Sequence, residues 1–327
     1  LRRTVLVSSR TFAKVLPIGK DMLEEHGFVV VRVEDSARPL NEAKLARILS
    51  DVDPDVLIAG AEPIPRTVLH AGPRLSLVQK HGVGVDNIDL GAASERGILV
   101  ANAPDTNSDA VADLTIGFML SLLRKIIQAA ISTREGKWSR FVGRELGQQT
   151  VGVVGTGKIG RAVIKRLTGF GCRVLAYDVY QDASFAEETG IIYLPLDELL
   201  AGADIVTLHV PLLTETRNLI GRNELNLMKE TAILINIARG ELVDEAALTE
   251  YLQSGRIAGA GVDVFSTEPP QDSPLLTIEN VLATPHIGAY TLEAMNRMDV
   301  KCAETVCRVF EGELPVNVLN PDAAKQR

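Results

Sequence analysis

Short apolar runs, often β-branched, alternate with longer stretches in which apolar residues recur three and four positions apart, and this alternation persists along the whole chain. In the first hundred residues it predicts strands at Val5–Ser8, Phe28–Val33, Val56–Ala59 and Leu75–Gln79, and another ending at Pro104. Helices are expected between them over Leu16–His26, Asn41–Ser50 and Pro65–Ala71. From Asn107 to Glu135 few breakers occur and apolar residues nearly encircle the helical wheel, which predicts one long helix buried in the protein or at a subunit interface. Further strands are expected around Val151–Val154 and at Arg173–Tyr177, Ile205–Leu208, Ala232–Ile237, Ile257–Val264 and Val281–Ala283. Helices are expected at Pro195–Leu200, Arg222–Leu227 and Asp244–Ser254, with a last amphipathic one over Thr291–Glu311. Strand and helix repeated with short links predict an α/β protein built on doubly wound parallel sheets. At 327 residues the chain exceeds what one core usually serves, so two domains are expected.

Composition narrows the class. A hydrophobic fraction of 46% with 23% charged residues belongs to an ordinary globular chain and excludes a disordered one. The net charge of −8 argues against a nucleic-acid or anionic-membrane surface. Cys172, Cys302 and Cys307 lack metal-ligand spacing and cannot all pair, so no metal site and a reducing, cytoplasmic location are expected. The opening apolar run is too short for a signal peptide, and no stretch approaches a membrane span. A start at Leu1 rather than Met is expected of a chain that lacks its first residues.

The most informative stretch is Thr150–Asp178. A β-branched run (Val151, Val153, Val154) is followed by Gly155, Gly157 and Gly160 in the spacing G-x-G-x-x-G, then by a helical segment. Gly155 allows a tight turn, Gly157 lets a pyrophosphate approach the backbone, and Gly160 lets the helix pack on the strand. The helix N-terminus presents free N–H groups to phosphate. Asp178 ends the next strand, where a carboxylate accepts both hydroxyls of an adenosine ribose and repels a 2′-phosphate, favouring NAD over NADP. Any tight strand-to-helix turn needs glycines; the preceding strand, the following helix and the distance to the acid make this one a dinucleotide site.

Ligands of such sheets bind beyond the carboxyl ends of the strands. Four chemically capable residues follow strands there: Arg239, Asp263, Glu268 and His286. An arginine fork fits a carboxylate and polarises a neighbouring carbonyl. Histidine exchanges protons near neutral pH, and a carboxylate such as Glu268 beside it favours the charged form. His209, ahead of Pro211, is expected to shape the cofactor cleft, and His26 and His70 to lie on the surface near helix ends. His81 adjoins a glycine turn and stays open between roles.

The segments HGVGVDNIDL, GVVGTGKIGRAV, LHVPLLTETRNLI, INIARGELVDEAAL, GVDVFSTEPP and TPHIGAYT, in this order over Lys80–Thr291, resemble the D-isomer-specific 2-hydroxyacid dehydrogenase family, and its phosphoglycerate dehydrogenase-like branch in particular. The resemblance implies two Rossmann-like domains with a cleft between them. A discontinuous substrate domain would comprise residues 1–101 and 290–327, and an NAD-binding domain residues 102–289, with hinges near 101–107 and 289–292. It implies a catalytic Arg239, Glu268 and His286. It also implies Asp263 on the nicotinamide carboxamide, Lys158 and Ile159 on the pyrophosphate turn, and Val210 and Ile237 lining the cofactor. The backbone of Val83 and Gly84 would bind the carboxylate of a small 2-keto or 2-hydroxy acid, and the enzyme would be a homodimer. Glu268 speaks against the formate dehydrogenase branch, which carries glutamine there. Two positions depart from authentic phosphoglycerate dehydrogenases: Ala59 stands where an arginine helps bind phosphate, and Lys80 at a second basic position offers a cation without a fork. The C-terminal regulatory domain of many serine-pathway members is expected to be absent. Glyoxylate, hydroxypyruvate or another 2-keto acid is therefore an alternative substrate. Phosphite oxidation and NAD sensing by a corepressor-like protein are the other readings.

Overall fold

Strands that are apolar along their whole length must be covered on both faces, and the chain meets that demand with two all-parallel sheets. A computed structural model describes residues 2–34 and 40–326. The chain divides into two compact units, Leu1–Asn107 with Tyr290–Arg327, and Ser108–Ala289.

The first unit runs β1 (Arg3–Val7), α1 (Ile18–Glu25), β2 (Phe28–Arg32), α2 (Glu42–Val52), β3 (Val56–Ala59), α3 (Arg66–Ala71), β4 (Leu77–Lys80), α4 (Leu90–Glu95) and β5 (Leu99–Ala101). Its sheet has the order β2-β1-β3-β4-β5, and every residue of β3 and β4 is buried. Local chemistry sets the helix ends: Asn41 caps α2 by accepting from the Lys44 N–H, and Leu45 and Leu49 turn into the core. Periodicity does not anticipate α4, because Leu90 is its one large apolar residue; Asp89 caps it and Ala92 and Ala93 are buried. A late helix, Leu292–Phe310, returns to this unit and buries Ala294, Met298, Cys302 and Val306.

The second unit runs α5 (Ser108–Arg124), α6 (Ile126–Arg134), β6 (Thr150–Val154), α7 (Lys158–Phe170), β7 (Arg173–Tyr177), α8 (Ala183–Thr189), β8 (Ile192–Tyr193), α9 (Leu196–Gly202), β9 (Ile205–Leu208), α10 (Arg222–Leu227), β10 (Ile233–Asn236), α11 (Glu245–Gln253), β11 (Gly259–Val262) and β12 (Val281–Ala283); the late helix is α12. Strand order is β12-β11-β10-β9-β6-β7-β8. The order reverses between β6 and β9, the place where such sheets open a crevice. On α7 the buried residues Gly160, Val163, Ile164 and Leu167 follow the helical period onto the sheet. The three large ones contribute about 1.5–3 kcal/mol each by leaving water.

The single helix expected over Asn107–Glu135 is two helices bent by 64°. Lys125 breaks them with a left-handed φ of 50°, although no glycine or proline marks the place. Tertiary structure makes the break: the Arg144 N–H donates to the Leu123 carbonyl, which a continuous helix would have used itself. Burial also differs between the halves. α5 is largely buried, whereas α6 leaves Ile126, Ile127 and Ile131 exposed. Among the described residues no single helix is long and apolar enough to cross a membrane; the bent pair passes by length and composition together. α8, with Phe185 its one large apolar residue, and the two-residue β8 also escape the sequence pattern.

Candidate active site

Three loops at the carboxyl ends of β10, β11 and β12 carry the candidate chemistry of the second unit. After β10, Asn236 folds the chain back on itself: its Oδ1 accepts from the Ala238 N–H at 3.1 Å and its Nδ2 donates to the Arg239 carbonyl at 2.7 Å. Gly240 then lets this loop run against Phe265 and Ser266, where a Cβ would lie 2.0 Å from the Phe265 carbonyl carbon. The Arg239 loop is thereby laid on the segment that leads to Glu268. Arg239 Nη1 donates to the Ala238 carbonyl at 2.7 Å.

Glu268 and His286, eighteen residues apart, meet with Oε2 and Nδ1 2.8 Å from each other. The other carboxylate oxygen of Glu268 accepts from the Phe265 N–H at 3.1 Å. Burial pushes the Glu268 carboxyl up, but the hydrogen bond and charge of His286, with smaller help from Phe265 and Arg239, outweigh it and hold the group below its usual range. His286 has a left-handed φ of 54°, uncommon for a residue with a side chain and in need of support from its surroundings. Asp263 supplies it. Its backbone carbonyl accepts from the His286 N–H at 2.8 Å, and its carboxylate accepts from Ile287 and Gly288 N–H, both at 2.8 Å, and from the Thr284 hydroxyl. Asp263 is fully buried, and burial raises its carboxyl above the ordinary value against those donors.

The glycine turn follows β6 at the reversal of strand order. Gly155 takes φ 97°, and a Cβ there would lie 2.8 Å from the His209 carbonyl and 2.9 Å from Val210, so His209 and Val210 form the far wall of the turn. His209 Nε2 lies 3.0 Å from the Thr207 hydroxyl, and burial pushes the ring down to about 3, which keeps it neutral. A Cβ at Gly160 would lie 2.0 Å from the Gly155 carbonyl oxygen, whereas one at Gly157 would meet nothing within 4 Å. Gly160 is thus demanded by the protein's own packing. Gly157 opens on space, the cradle that a pyrophosphate needs beside the N-terminus of α7 at Lys158 and Ile159. Ile237 is buried at the end of β10. Asp178 accepts from the Thr156 N–H at 2.6 Å, the Thr156 hydroxyl at 3.1 Å and the Tyr180 N–H at 3.0 Å. Burial works against its charge, yet these donors prevail and lower the carboxyl below its ordinary value. An ionised carboxylate with lone pairs to spare fits a ribose diol. The residues present therefore suit NAD.

In the first unit, Val83 and Gly84 stand on the turn after β4. Among the described residues neither N–H has a hydrogen-bond partner. Lys80 is not the open cation that its position suggested: its ammonium donates to the Gly60 carbonyl and to Asn87 Oδ1, both at 2.7 Å, and it is 9% exposed. His81, open between roles in the sequence, has its side chain buried. Nε2 lies 2.8 Å from Asp299 Oδ1, and Nδ1 lies 3.0 Å from the Ser9 hydroxyl. His26 and His70 are exposed at the ends of α1 and α3. Sequence reasoning missed the residues that hold others in place, Asn236, Thr284 and Asp299; Asn236, inside INIARGELVDEAAL, and Thr284, at the head of TPHIGAYT, were within reach.

Comparison with known proteins identifies relatives of the chain. A sequence model described as the NAD binding domain of D-isomer specific 2-hydroxyacid dehydrogenases matches residues 116–288. The chain is 45% identical over 302 residues to a D-3-phosphoglycerate dehydrogenase of Methanocaldococcus jannaschii, covering 91% of this chain and 56% of that one. It is 40% identical over 316 residues to a glyoxylate reductase of Korarchaeum cryptofilum, covering 94% of each. Among solved structures it is similar to D-lactate dehydrogenase of Aquifex aeolicus, complexed with NAD and lactic acid, with a TM-score of 0.84, 28% identity and coverage of 99% and 98%. The chain spans about half the length of the phosphoglycerate dehydrogenases it matches.

Proposed function

The chain belongs to the D-isomer-specific 2-hydroxyacid dehydrogenase family, and from that premise we propose that it is an NAD-dependent oxidoreductase of the phosphoglycerate dehydrogenase-like branch, acting on a 2-keto or D-2-hydroxy acid. The observation that carries the reading is the 2.8 Å pair of His286 and Glu268 in the unit that also holds Arg239 and the glycine turn. NAD, when bound, supplies the hydride chemistry. Glu268, held ionised, fixes His286 through Nδ1 and leaves Nε2 to give a proton to the keto oxygen, or to take one from the hydroxyl in the reverse direction. Arg239 directs its fork at the keto oxygen and carboxylate. Asp263 keeps the His286 loop in its strained shape and bears on the nicotinamide side of the site. The free amides of Val83 and Gly84 receive the substrate carboxylate, which gives the first unit the substrate role and the second the cofactor role.

A second reading, a glyoxylate or hydroxypyruvate reductase, is favoured by specific side chains of the first unit. Ala59 offers no cation, Lys80 is committed to internal acceptors, and the Glu62 carboxylate is held at the end of β3 by the Gly60 N–H at 2.9 Å. A phosphate would meet a carboxylate there. The protein acts as a cytoplasmic homodimer, a reading supported by its free cysteines and by the exposed isoleucines of α6.

The test is NADH absorbance decay with glyoxylate, hydroxypyruvate, phosphohydroxypyruvate, pyruvate and bulkier 2-keto acids. Turnover of phosphohydroxypyruvate above the rest supports the first reading, and preference for an unphosphorylated acid the second. Silence across the panel with tight NADH binding would replace both with an NAD-sensing, partner-binding role.

A further inference from the structure

Beside Asp178 stands an arginine of the GVVGTGKIGRAV segment to which the resemblance assigns no role. Arg161, on the first turn of α7, donates from Nε to the Thr156 carbonyl at 3.1 Å and from Nη2 to Asp182 Oδ2 at 2.7 Å, and its guanidinium covers the Phe185 ring at 4.5 Å. Among the described residues its Nη1 has no hydrogen-bond partner. Thr156 is shared. It gives its N–H and hydroxyl to Asp178 and its carbonyl to Arg161, while the Tyr193 hydroxyl donates to Thr156 Oγ1 at 3.0 Å and fixes it. The carboxylate that faces the ribose and the guanidinium of Arg161 therefore stand on either side of one immobilised residue.

Asp182 is no incidental partner. Its Oδ1 caps α8 by accepting from the Phe185 N–H at 3.0 Å, which leaves Oδ2 directed at Arg161. The cluster holds two carboxylates, Asp178 and Asp182, against one guanidinium, a balance that repels a doubly charged phosphate. With both carboxylates neutralised the same scaffold would present a lone arginine, the group best suited to bind phosphate with two donors.

We infer that Asp182 is a second determinant of cofactor choice, which withholds Arg161 from the ribose site and so keeps a latent 2′-phosphate subsite closed. Asp178 excludes the 2′-phosphate by its own charge, and Asp182 does so by occupying a neighbouring cation able to neutralise it. This rests on the reading of the glycine turn as a dinucleotide site.

Calorimetric titration tests it with nucleotide fragments, free of any dependence on turnover. Asp182→Asn keeps the cap, since asparagine caps as well as aspartate, and removes the charge. The affinity ratio of 2′,5′-ADP to 5′-AMP would be measured for the wild type, Asp178→Ser, Asp178→Ser/Asp182→Asn, and that pair with Arg161→Gln. The double variant is expected to raise the ratio at least about tenfold above Asp178→Ser alone, the scale of one charge-assisted contact, and Arg161→Gln should abolish the gain. A double variant equal to Asp178→Ser, or a gain that survives Arg161→Gln, would overturn the inference. Failure of the wild type to bind 5′-AMP and NADH would overturn the dinucleotide-site reading beneath it, and this inference with it. Circular dichroism melting of each variant separates loss of fold from loss of binding.

Discussion

At the scale of single residues, the site is a set of exposed chemical groups held by buried ones. His286 takes an uncommon left-handed conformation, and Asp263 braces it: its carbonyl accepts from the His286 N–H and its carboxylate from the N–H groups of Ile287 and Gly288. His286→Ala or Arg239→Ala should lower kcat by about a hundredfold or more, the scale of general acid–base catalysis, while NADH titration stays nearly unchanged. Normal turnover of the His286 variant would remove the proton-transfer assignment. Glu268 gives a prediction with a definite sign. Its folded value is depressed, so its contribution to stability is complete above the ordinary carboxyl value of about 4.3 and is lost as pH falls through the lower folded value. The difference in Tm between wild type and Glu268→Gln should therefore be largest above that pH and shrink on acidification. A difference that grows in acid would mean the carboxyl is not depressed. Arg239, Glu268 and His286 were legible as residue types after strands; Asp299 was not, because its meaning lies in a partner 218 residues away.

At the scale of elements, buried polar pairs and glycine contacts join loops that the chain keeps far apart. His81 and Asp299 tie the end of β4 to α12, with side chains 1% and 3% exposed, and Asp299 also accepts from the Ala13 N–H in the loop after β1. Removing one partner leaves the other a buried polar group without its hydrogen bond, so Asp299→Ala or His81→Ala should cost about 1–3 kcal/mol in urea unfolding. His81→Phe/Asp299→Leu, which removes both members of the pair, should cost less than either. Equal loss in all three would show that packing rather than the hydrogen bond governs this contact. The expected long helix illustrates the limit of periodicity. A regular apolar pattern continues through Lys125, but the Arg144 amide takes a carbonyl of the last turn of α5 and bends the chain. α4 and α8 went unread because each carries one large apolar residue, Leu90 and Phe185, too few to set a period, and β8 is two residues long.

At the scale of the whole molecule, α6 and the segment after it leave Ile126, Ile127, Ile131, Trp138 and Val142 exposed, large apolar side chains that a partner surface would cover. A second copy of the chain is the expected occupant, consistent with the two-fold pairing most oligomers adopt. Sedimentation at micromolar concentration should give a dimer, and Ile131→Glu with Trp138→Ala should give monomer with its melting transition retained. A wild-type monomer would refute the dimer. The sequence by itself determined the parallel α/β architecture, since unbroken apolar strands have nowhere to go but between layers of helix. It also determined the glycine turn, because Gly155 and Gly160 stand where a Cβ would strike backbone. Only the tertiary structure decided the break at Lys125, the commitment of Lys80 to internal acceptors, the burial of His81 against Asp299 and the confinement of Arg161 by Asp182. Each of these depends on a partner remote in sequence, and periodicity and local motifs carry information only about neighbours along the chain.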